Sequence, residues 1–285
     1  NGTLHHPVLD VVMPFITDFG HFKIPIVAAV AIILWLGPPE RRWRLLQLVL
    51  LVLMADMTGG FLKEWLDVAR PSPAELGEGG VRLVGSRLGK SAAFPSNHAV
   101  NMFAACGFLW WHLRHHRWSP LLFVPAVVIA WSRVYVGVHW PSDVVGGAIV
   151  GLGVLAGFLA MDRRLPILTY RDGRRVAFSL TGLTVFFAVF VTIFRLSYVA
   201  QEYVDLASEE AQYWSWSRQL DWSYYSKPPL IAYSIRLFCE IFGDTPLGVR
   251  SGAIAMSAVV MVITWSLAKG LFAGARSGPA RPASR

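Results

Sequence analysis

Three short stretches contain residue types that bind and transfer phosphoryl groups. They run from Lys63 to Pro71, from Phe94 to His98 and from Ser132 to Asp143. A fork of two guanidinium groups with one ammonium group suits a ligand that has several anionic oxygens. The cations Lys63, Arg70 and Arg133 lie at the mouths of three different predicted helices. The three stretches therefore predict a phosphate pocket.

The third stretch also supplies a nucleophile. His139 lies four residues before Asp143, and Pro141 suits the first position of a helix. The carboxylate of Asp143 can then reach back to one imidazole nitrogen, which leaves the other nitrogen free to attack. His98 comes from a different helix and is placed to protonate the departing oxygen. The sequence therefore predicts one in-line displacement in which His139 attacks and His98 protonates the departing oxygen.

Neutral donors complete the predicted pocket. Ser96 and the backbone N–H groups around Asn97 and His98 lie at a helix start, where the helix dipole favours an anion. The cations neutralise charge on the equatorial oxygens, a task that magnesium performs in other phosphoryl-transfer enzymes. We therefore expect no metal and no cofactor.

The elements that carry these residues are helices in a membrane. Of the 285 residues, 54% are hydrophobic and only 15% are charged, and the mean hydropathy is +0.47. Apolar stretches of bilayer length predict an all-α integral membrane protein and exclude a disordered chain. Residues 8–19 are too broken for a span and predict a helix on the membrane surface. The predicted spans are 22–37, 45–66, 98–113, 119–136, 143–161, 176–198 and 247–270.

The net charge of +8 indicates topology rather than a nucleic-acid partner, because basic residues collect in cytoplasmic loops. Short basic clusters at 41–44, 114–117, 163–175 and 276–285 all fall on one side. The opposite face receives segments 63–97, 137–142 and 199–246, so the candidate chemistry lies on the outer face. Cys106 and Cys239 show no spacing typical of a disulfide framework or a zinc site.

The three stretches resemble the signature of the type 2 phosphatidic acid phosphatase family, K-x6-R-P, P-S-G-H and S-R-x5-H-x3-D. The resemblance covers residues 8 to 161, including the opening L-D-x-x-M-P-F-I-T. It implies that His139 forms a phosphohistidine, that Asp143 is its partner and that His98 acts as acid and then base. The implied phosphate ligands are Lys63, Arg70, Ser96 and Arg133. Asn97 replaces the usual glycine but keeps the backbone N–H.

The resemblance carries two further expectations. Soluble haloperoxidases that hold vanadate share the signature, and the membrane spans argue against that class. Family members usually have six spans, whereas five are predicted before residue 162, so one helix ahead of Asn1 is expected to be absent from this chain. An outer-face site suits the periplasmic face of a bacterial inner membrane.

The second half has a different pattern. Residues 162–175 predict a cytoplasmic linker, and residues 273–285 predict a disordered tail. Residues 176–272 resemble the opening of GT-C glycosyltransferases of the protein mannosyltransferase and aminoarabinose transferase type, with a glutamate in place of the usual aspartate. Glu209, Glu210 and Lys227 are a possible second site for a sugar and a lipid phosphate; the alternative is an interfacial aromatic belt with paired surface charges.

The sequence thus predicts a metal-independent lipid phosphatase embedded in the bilayer. Candidate substrates are undecaprenyl diphosphate, lipid A, phosphatidylglycerol phosphate and phosphatidic acid. Two alternatives stay open at this point. In the first, the chain is a polyprenyl-phosphate-binding module or a fragment of a GT-C glycosyltransferase. In the second, it is a phosphotransferase that passes the phosphoryl group from one lipid to another. The sequence leaves the oligomeric state undetermined.

Overall fold

The computed structural model describes residues 6–71, 83–85, 91–171, 174–225 and 227–275. It is mostly helical, which confirms the predicted fold class. Within the described residues, five helical segments are long and apolar enough to cross a membrane. These segments are Phe19–Leu36, Pro39–Leu66, Pro141–Arg164, Leu180–Ala200 and Pro246–Leu271.

The chain divides into two compact units, of which the first holds residues 1–164 and 168–177. Its helices are α1 (Pro7–Thr17), α2 (Lys23–Leu36), α3 (Pro39–Leu66), α4 (Asn97–Leu113), α5 (Val124–Tyr135) and α6 (Pro141–Arg164), with 3-10 turns at Phe19–Phe22 and Ser119–Phe123. The helix predicted at 8–19 is present as α1, which ends at Thr17. The predicted fourth span, 119–136, is a 3-10 turn followed by the short helix α5, so its regular α-helical part is only 12 residues long.

Helices α4 and α6 pack against each other through glycine. A Cβ added at Gly147 would lie 2.7 Å from the carbonyl oxygen of Ser96, and one at Gly151 would overlap the carbonyl oxygen of Val100. Gly153, by contrast, has none of the described residues within 4 Å of such a Cβ. Only part of the small-residue pattern on α6 therefore serves close helix approach.

Helix α1 packs on the connection that leads into α6. Met13 shares a hydrophobic cluster with Val136 and Val138. The hydroxyl of Tyr135 donates a hydrogen bond of 2.8 Å to the carboxylate of Asp10. The amphipathic first helix thereby supports the backbone just before His139.

The second unit holds residues 165–167 and 178–285. Its helices are α7 (Leu180–Ala200), α8 (Ser208–Arg218), α9 (Leu230–Phe242) and α10 (Pro246–Ala275). Helix α10 packs on α7 and α9, and α8 packs on α9. The outer segment 199–246 predicted between two spans contains the helices α8 and α9.

The structure changes two sequence predictions, the linker at 162–175 and the start of the C-terminal tail. The linker predicted at 162–175 starts inside α6 and contains strands β1 (Leu168–Arg171) and β2 (Arg174–Phe178), which form a two-stranded sheet. Thr, Tyr, Val and Phe in this stretch favour strands. The predicted tail starts too early, because α10 continues to Ala275; residues 276–285 lie outside the described part of the chain.

Candidate active site

His139 and Asp143 form a buried pair at the start of α6. Nδ1 of His139 lies 3.3 Å from Oδ2 of Asp143, and both side chains are at most 2% exposed. The same oxygen accepts a hydrogen bond of 2.8 Å from the backbone N–H of Trp140. A carboxylate can only accept hydrogen bonds, so it holds the imidazole with its proton on Nδ1. Nε2 is left with the lone pair, as the four-residue spacing predicted.

Arg70 faces that second nitrogen. Its Nη1 lies 3.5 Å from Nε2 of His139 and donates a hydrogen bond of 3.0 Å to the carbonyl oxygen of Val138. Its Nε donates to the carbonyl oxygen of Ser91 at 2.7 Å. These bonds fix the guanidinium of Arg70 beside Nε2 of His139.

Burial lowers the pKa of the His139 imidazole well below its ordinary value of 6.5, and the nearby cations Arg70, Lys63 and Arg133 lower that pKa further. The imidazole is therefore neutral at neutral pH. A neutral imidazole has the lone pair that a nucleophile needs.

Ser96 lies directly before α4 and is completely buried. Its N–H donates a hydrogen bond of 3.0 Å to the carbonyl oxygen of Asp143, which ties the start of α4 to the start of α6. Within the described residues, the Ser96 hydroxyl is buried without a hydrogen-bond partner. A buried polar group in this state is a candidate ligand contact.

Lys63 and Arg133 supply two further positive charges. The ammonium of Lys63 is buried and donates a hydrogen bond of 3.1 Å to the carbonyl oxygen of Ala92. Nη1 of Arg133 donates to the Thr17 hydroxyl at 2.9 Å. In the described part of the chain, Nε of Arg133 is buried with no partner, so this guanidinium retains a free donor.

His98 is half-buried in the first turn of α4. Its ring stacks on Phe19, with centroids 5.1 Å apart, and it forms a hydrogen bond with the backbone of Thr17. The last residue of α1 thus contacts Arg133 and His98, and the turn that follows α1 contacts His98. Sequence reasoning did not find Thr17 or Phe19 as part of the site; the only signal was the family-like opening that ends at Thr17.

The side chain of Asn97 contacts Asp56 on α3. Its amide donates to the carboxylate of Asp56 at 3.2 Å, and Asn101 donates to the same carboxylate at 2.8 Å. A carboxylate inside a membrane helix is costly unless it is hydrogen-bonded. Both amides thus bind the Asp56 carboxylate, and the bond from Asn97 ties α3 to the start of α4.

The structure does not assemble the possible second site. Glu210 accepts hydrogen bonds from Arg250 at 2.9 and 2.7 Å and from the backbone N–H of Ala207 at 2.9 Å. Glu209 and Lys227 are exposed, and among the described residues no hydrogen bond or ion pair joins Lys227 to either glutamate. The Glu210 carboxylate is committed to its own helix and to α10.

Glu210→Gln is therefore expected to lower the stability of the second unit by up to about 1 kcal/mol, because glutamine can still accept from the Ala207 N–H but loses the ion pair with Arg250. Glu209→Gln is the matched control and is expected to leave the melting temperature in detergent unchanged. The hydrogen bond with Arg250 lowers the pKa of Glu210 below its ordinary 4.5. Its stabilisation is therefore present above pH 4.5 and is lost as the pH falls through the lowered pKa. Equal melting temperatures for both variants at neutral pH would contradict this role.

Comparison with known proteins matches residues 44–166 to the PAP2 superfamily. The chain is 32% identical over 158 residues to lipid A 4'-phosphatase of Bacteroides thetaiotaomicron, which is 53% of this chain and 68% of that protein. It is 33% identical over 163 residues to phosphatidylglycerophosphatase B of Bacillus subtilis, 52% of this chain and 73% of that protein. The chain belongs to the PAP2 superfamily. The resemblance read from the three motifs and the expected enzyme class, a lipid phosphatase, are thereby confirmed at the level of the family.

Other similarities cover parts of the PAP2 chain. It is 55% identical over 62 residues to YbjG of Escherichia coli, whose name proposes an undecaprenyl-diphosphatase; the match spans 21% of this chain and 30% of YbjG. A crystal structure of a transmembrane PAP2-type phosphatidylglycerolphosphate phosphatase from Bacillus subtilis has a TM-score of 0.42 and 27% identity, over 57% of this chain and 81% of that one. Residues 226–279 match the family of dolichyl-phosphate-mannose-protein mannosyltransferases, which bears out the resemblance of the second half.

Proposed function

We propose that this protein removes a phosphate from a membrane lipid phosphate or diphosphate through a phosphohistidine at His139. The observation that carries the proposal is the position of that imidazole. Asp143 holds Nδ1 at 3.3 Å, and Nε2 faces the guanidinium of Arg70 at 3.5 Å. A neutral, oriented nucleophile beside a fixed cation is the arrangement that attack on an anionic phosphoryl group requires.

In the first step, Nε2 of His139 attacks phosphorus and the bond between phosphorus and the lipid oxygen breaks. His98 acts as the acid and gives its proton to the departing oxygen. The lipid alcohol, or the lipid monophosphate when the substrate is a diphosphate, leaves. The positive charge that develops on His139 is stabilised by the buried carboxylate of Asp143.

In the second step, water attacks the phosphohistidine. His98, now neutral, accepts a proton from that water, and the bond between Nε2 and phosphorus breaks. Inorganic phosphate leaves, and both histidines return to their starting states. The same residue serves as acid and then base because the second step reverses the chemistry of the first.

The phosphoryl oxygens are bound by Lys63, Arg70, Arg133, Ser96 and the backbone N–H of Asn97. Two groups support this assignment: the buried Ser96 hydroxyl and Nε of Arg133, which lack partners in the described residues. An incoming phosphate supplies the acceptors that both need. Charge-assisted hydrogen bonds from fixed cations are strong in a site that excludes water.

The proposed substrates are lipids for two reasons. The site lies at the ends of helices that include membrane-length apolar segments, and relatives carry the names of lipid A and phosphatidylglycerol phosphate phosphatases. We place the site on the periplasmic face of a bacterial inner membrane, because the short basic clusters fall on the opposite side. The proposal includes a phosphatase domain at 1–161 and a cytoplasmic linker that follows the end of α6.

The test is release of inorganic phosphate by the purified protein in detergent with excess EDTA. Substrates are undecaprenyl diphosphate, lipid A, phosphatidylglycerol phosphate and phosphatidic acid, assayed separately. We expect release from at least one lipid at a rate that EDTA does not reduce, since the cations occupy the place of a metal. Loss of activity in EDTA that magnesium restores would overturn the metal-independent mechanism, and no release from any of the four by folded protein would overturn the phosphatase assignment.

A further inference from the structure

A cavity of about 780 Å³ opens beside His98 and Arg133. Its walls come from the end of α1, from the 3-10 turn that follows it and from the start of α2. Residues on these walls include Val11, Phe15, Asp18 and Lys23. The cavity therefore borders two proposed active-site residues, His98 and Arg133, and extends along the N-terminal segment.

The position of the cavity assigns it to the leaving group of the substrate, and this assignment rests on the proposed function. The attacking atom belongs to His139, and the acid on the departing oxygen is His98. An in-line displacement puts the attacking and departing atoms on opposite sides of phosphorus. Because His98 lines the cavity, the part of the substrate attached to the departing oxygen extends into it.

The walls of the cavity differ in chemistry. Val11, Pro14 and Phe15 form an apolar wall, whereas Lys23 adds an exposed ammonium group. The Asp18 carboxylate is partly occupied, since it accepts a hydrogen bond of 2.8 Å from the N–H of Gly20 and lies 3.8 Å from the ring of His21. Lys23 and Arg133 line the same cavity and give it two positive charges against the carboxylate of Asp18.

We propose that this cavity binds the departing half of the substrate, with Lys23 contacting a second anionic group directly beside the phosphate that is removed. Such a group is present in a lipid diphosphate, whose leaving portion is itself a phosphate. It is absent from a phosphomonoester whose leaving portion is a neutral alcohol. The apolar wall then lies along the first part of the lipid chain. Lys23 thus selects a lipid diphosphate over the lipid monophosphate with the same tail.

The experiment compares farnesyl diphosphate with farnesyl monophosphate, which share one tail, by phosphate release in detergent. Lys23→Gln is expected to lower kcat/KM for the diphosphate by about tenfold, the size of one charge-assisted hydrogen bond, and to change the monophosphate less than about twofold. Lys23→Arg keeps the charge and is expected to restore the preference. Arg117→Gln removes an exposed charge at a distant turn and controls for net charge.

The outcomes separate the two proposals. Equal losses on both substrates, or no loss on either, would overturn the role of Lys23 while the phosphatase assignment stands. The wild type alone also tests the inference, because equal kcat/KM values for the two substrates would overturn it. Failure of the wild type to release phosphate from either substrate or from the larger lipids would instead overturn the proposed function.

Discussion

Replacement of His139 by glutamine is expected to abolish phosphate release, with a loss on the order of 10⁴-fold or more because the residue that forms the covalent bond is gone. Glutamine keeps a polar side chain of similar reach, and the cations and Ser96 are untouched. Lipid binding should therefore persist. The measurement is phosphate release in EDTA together with binding of a labelled lipid to the same preparation.

His112→Gln is the matched control for this prediction. His112 lies at the other end of α4, where its Nδ1 contacts the carbonyl oxygen of Phe108 at 2.9 Å, and the variant is expected to keep its activity. Phosphate release by His139→Gln at the wild-type rate would show that the nucleophile is another residue. A wild type that binds lipid but releases nothing would instead favour a binding module, and appearance of the phosphate on a second lipid would favour a phosphotransferase.

The covalent intermediate gives a second readout of the same prediction. A phosphohistidine is stable in alkali and labile in acid, so rapid quenching with labelled substrate should trap label on the wild type and none on His139→Gln. Asp143→Asn keeps the shape of the carboxylate but no longer stabilises the positive ring. It is expected to lower the rate by about 10²–10⁴-fold, the range for a proton-transfer partner.

Gly151→Ala is expected to destabilise the first unit by about 1–3 kcal/mol, the usual cost of overpacking. The added methyl group overlaps the backbone carbonyl of Val100, and a backbone atom cannot rotate away as a side chain can. Helix α4 has to shift relative to α6, and the shift moves Ser96 and His98 away from Asp143. We therefore expect loss of phosphate release together with a lower melting temperature in detergent.

Two neighbouring glycines provide the controls for Gly151. Gly153 and Gly157 lie on the same helix, and a Cβ at either position meets nothing within 4 Å. Gly→Ala at these sites is expected to be neutral or to stabilise α6 by up to about 1 kcal/mol through helix propensity. If all three variants melt at the same temperature, α4 and α6 do not approach as closely as described.

The contact of His139 with Asp143 was predictable because it depends on local geometry. Residues four apart at a helix start face each other, so His139 and Asp143 were paired from spacing alone. The contacts of Thr17 with Arg133 and of Phe19 with His98 depend on how α1 packs across more than 70 residues of chain. No local pattern contains that information. The bond from Asn97 to Asp56 was missed for the same reason.

In the second unit, two helices were not predicted because they are short or polar. The search for bilayer-length apolar stretches found α7 and α10, but α9 has only 13 residues and α8 is rich in polar and aromatic residues. Neither helix was therefore predicted as a separate element within the outer segment 199–246. Glu210 and Lys227 looked like a site because their residue types suit one; the ion pair of Glu210 with Arg250 became visible only when α8 and α10 were placed.

The bond between Asn97 and Asp56 also fixes a depth. Asp56 lies ten residues before Leu66, the last residue of α3, which is about 15 Å along the helix axis at the usual rise per residue. The first turn of α4 thus starts beside the middle of a membrane-length helix. In the proposed mechanism a head group has to reach below the end of α3, and a water-soluble phosphate ester has to leave bulk solvent to follow it. We therefore expect the proposed site to favour substrates that are already in the bilayer before any contact is made with the head group.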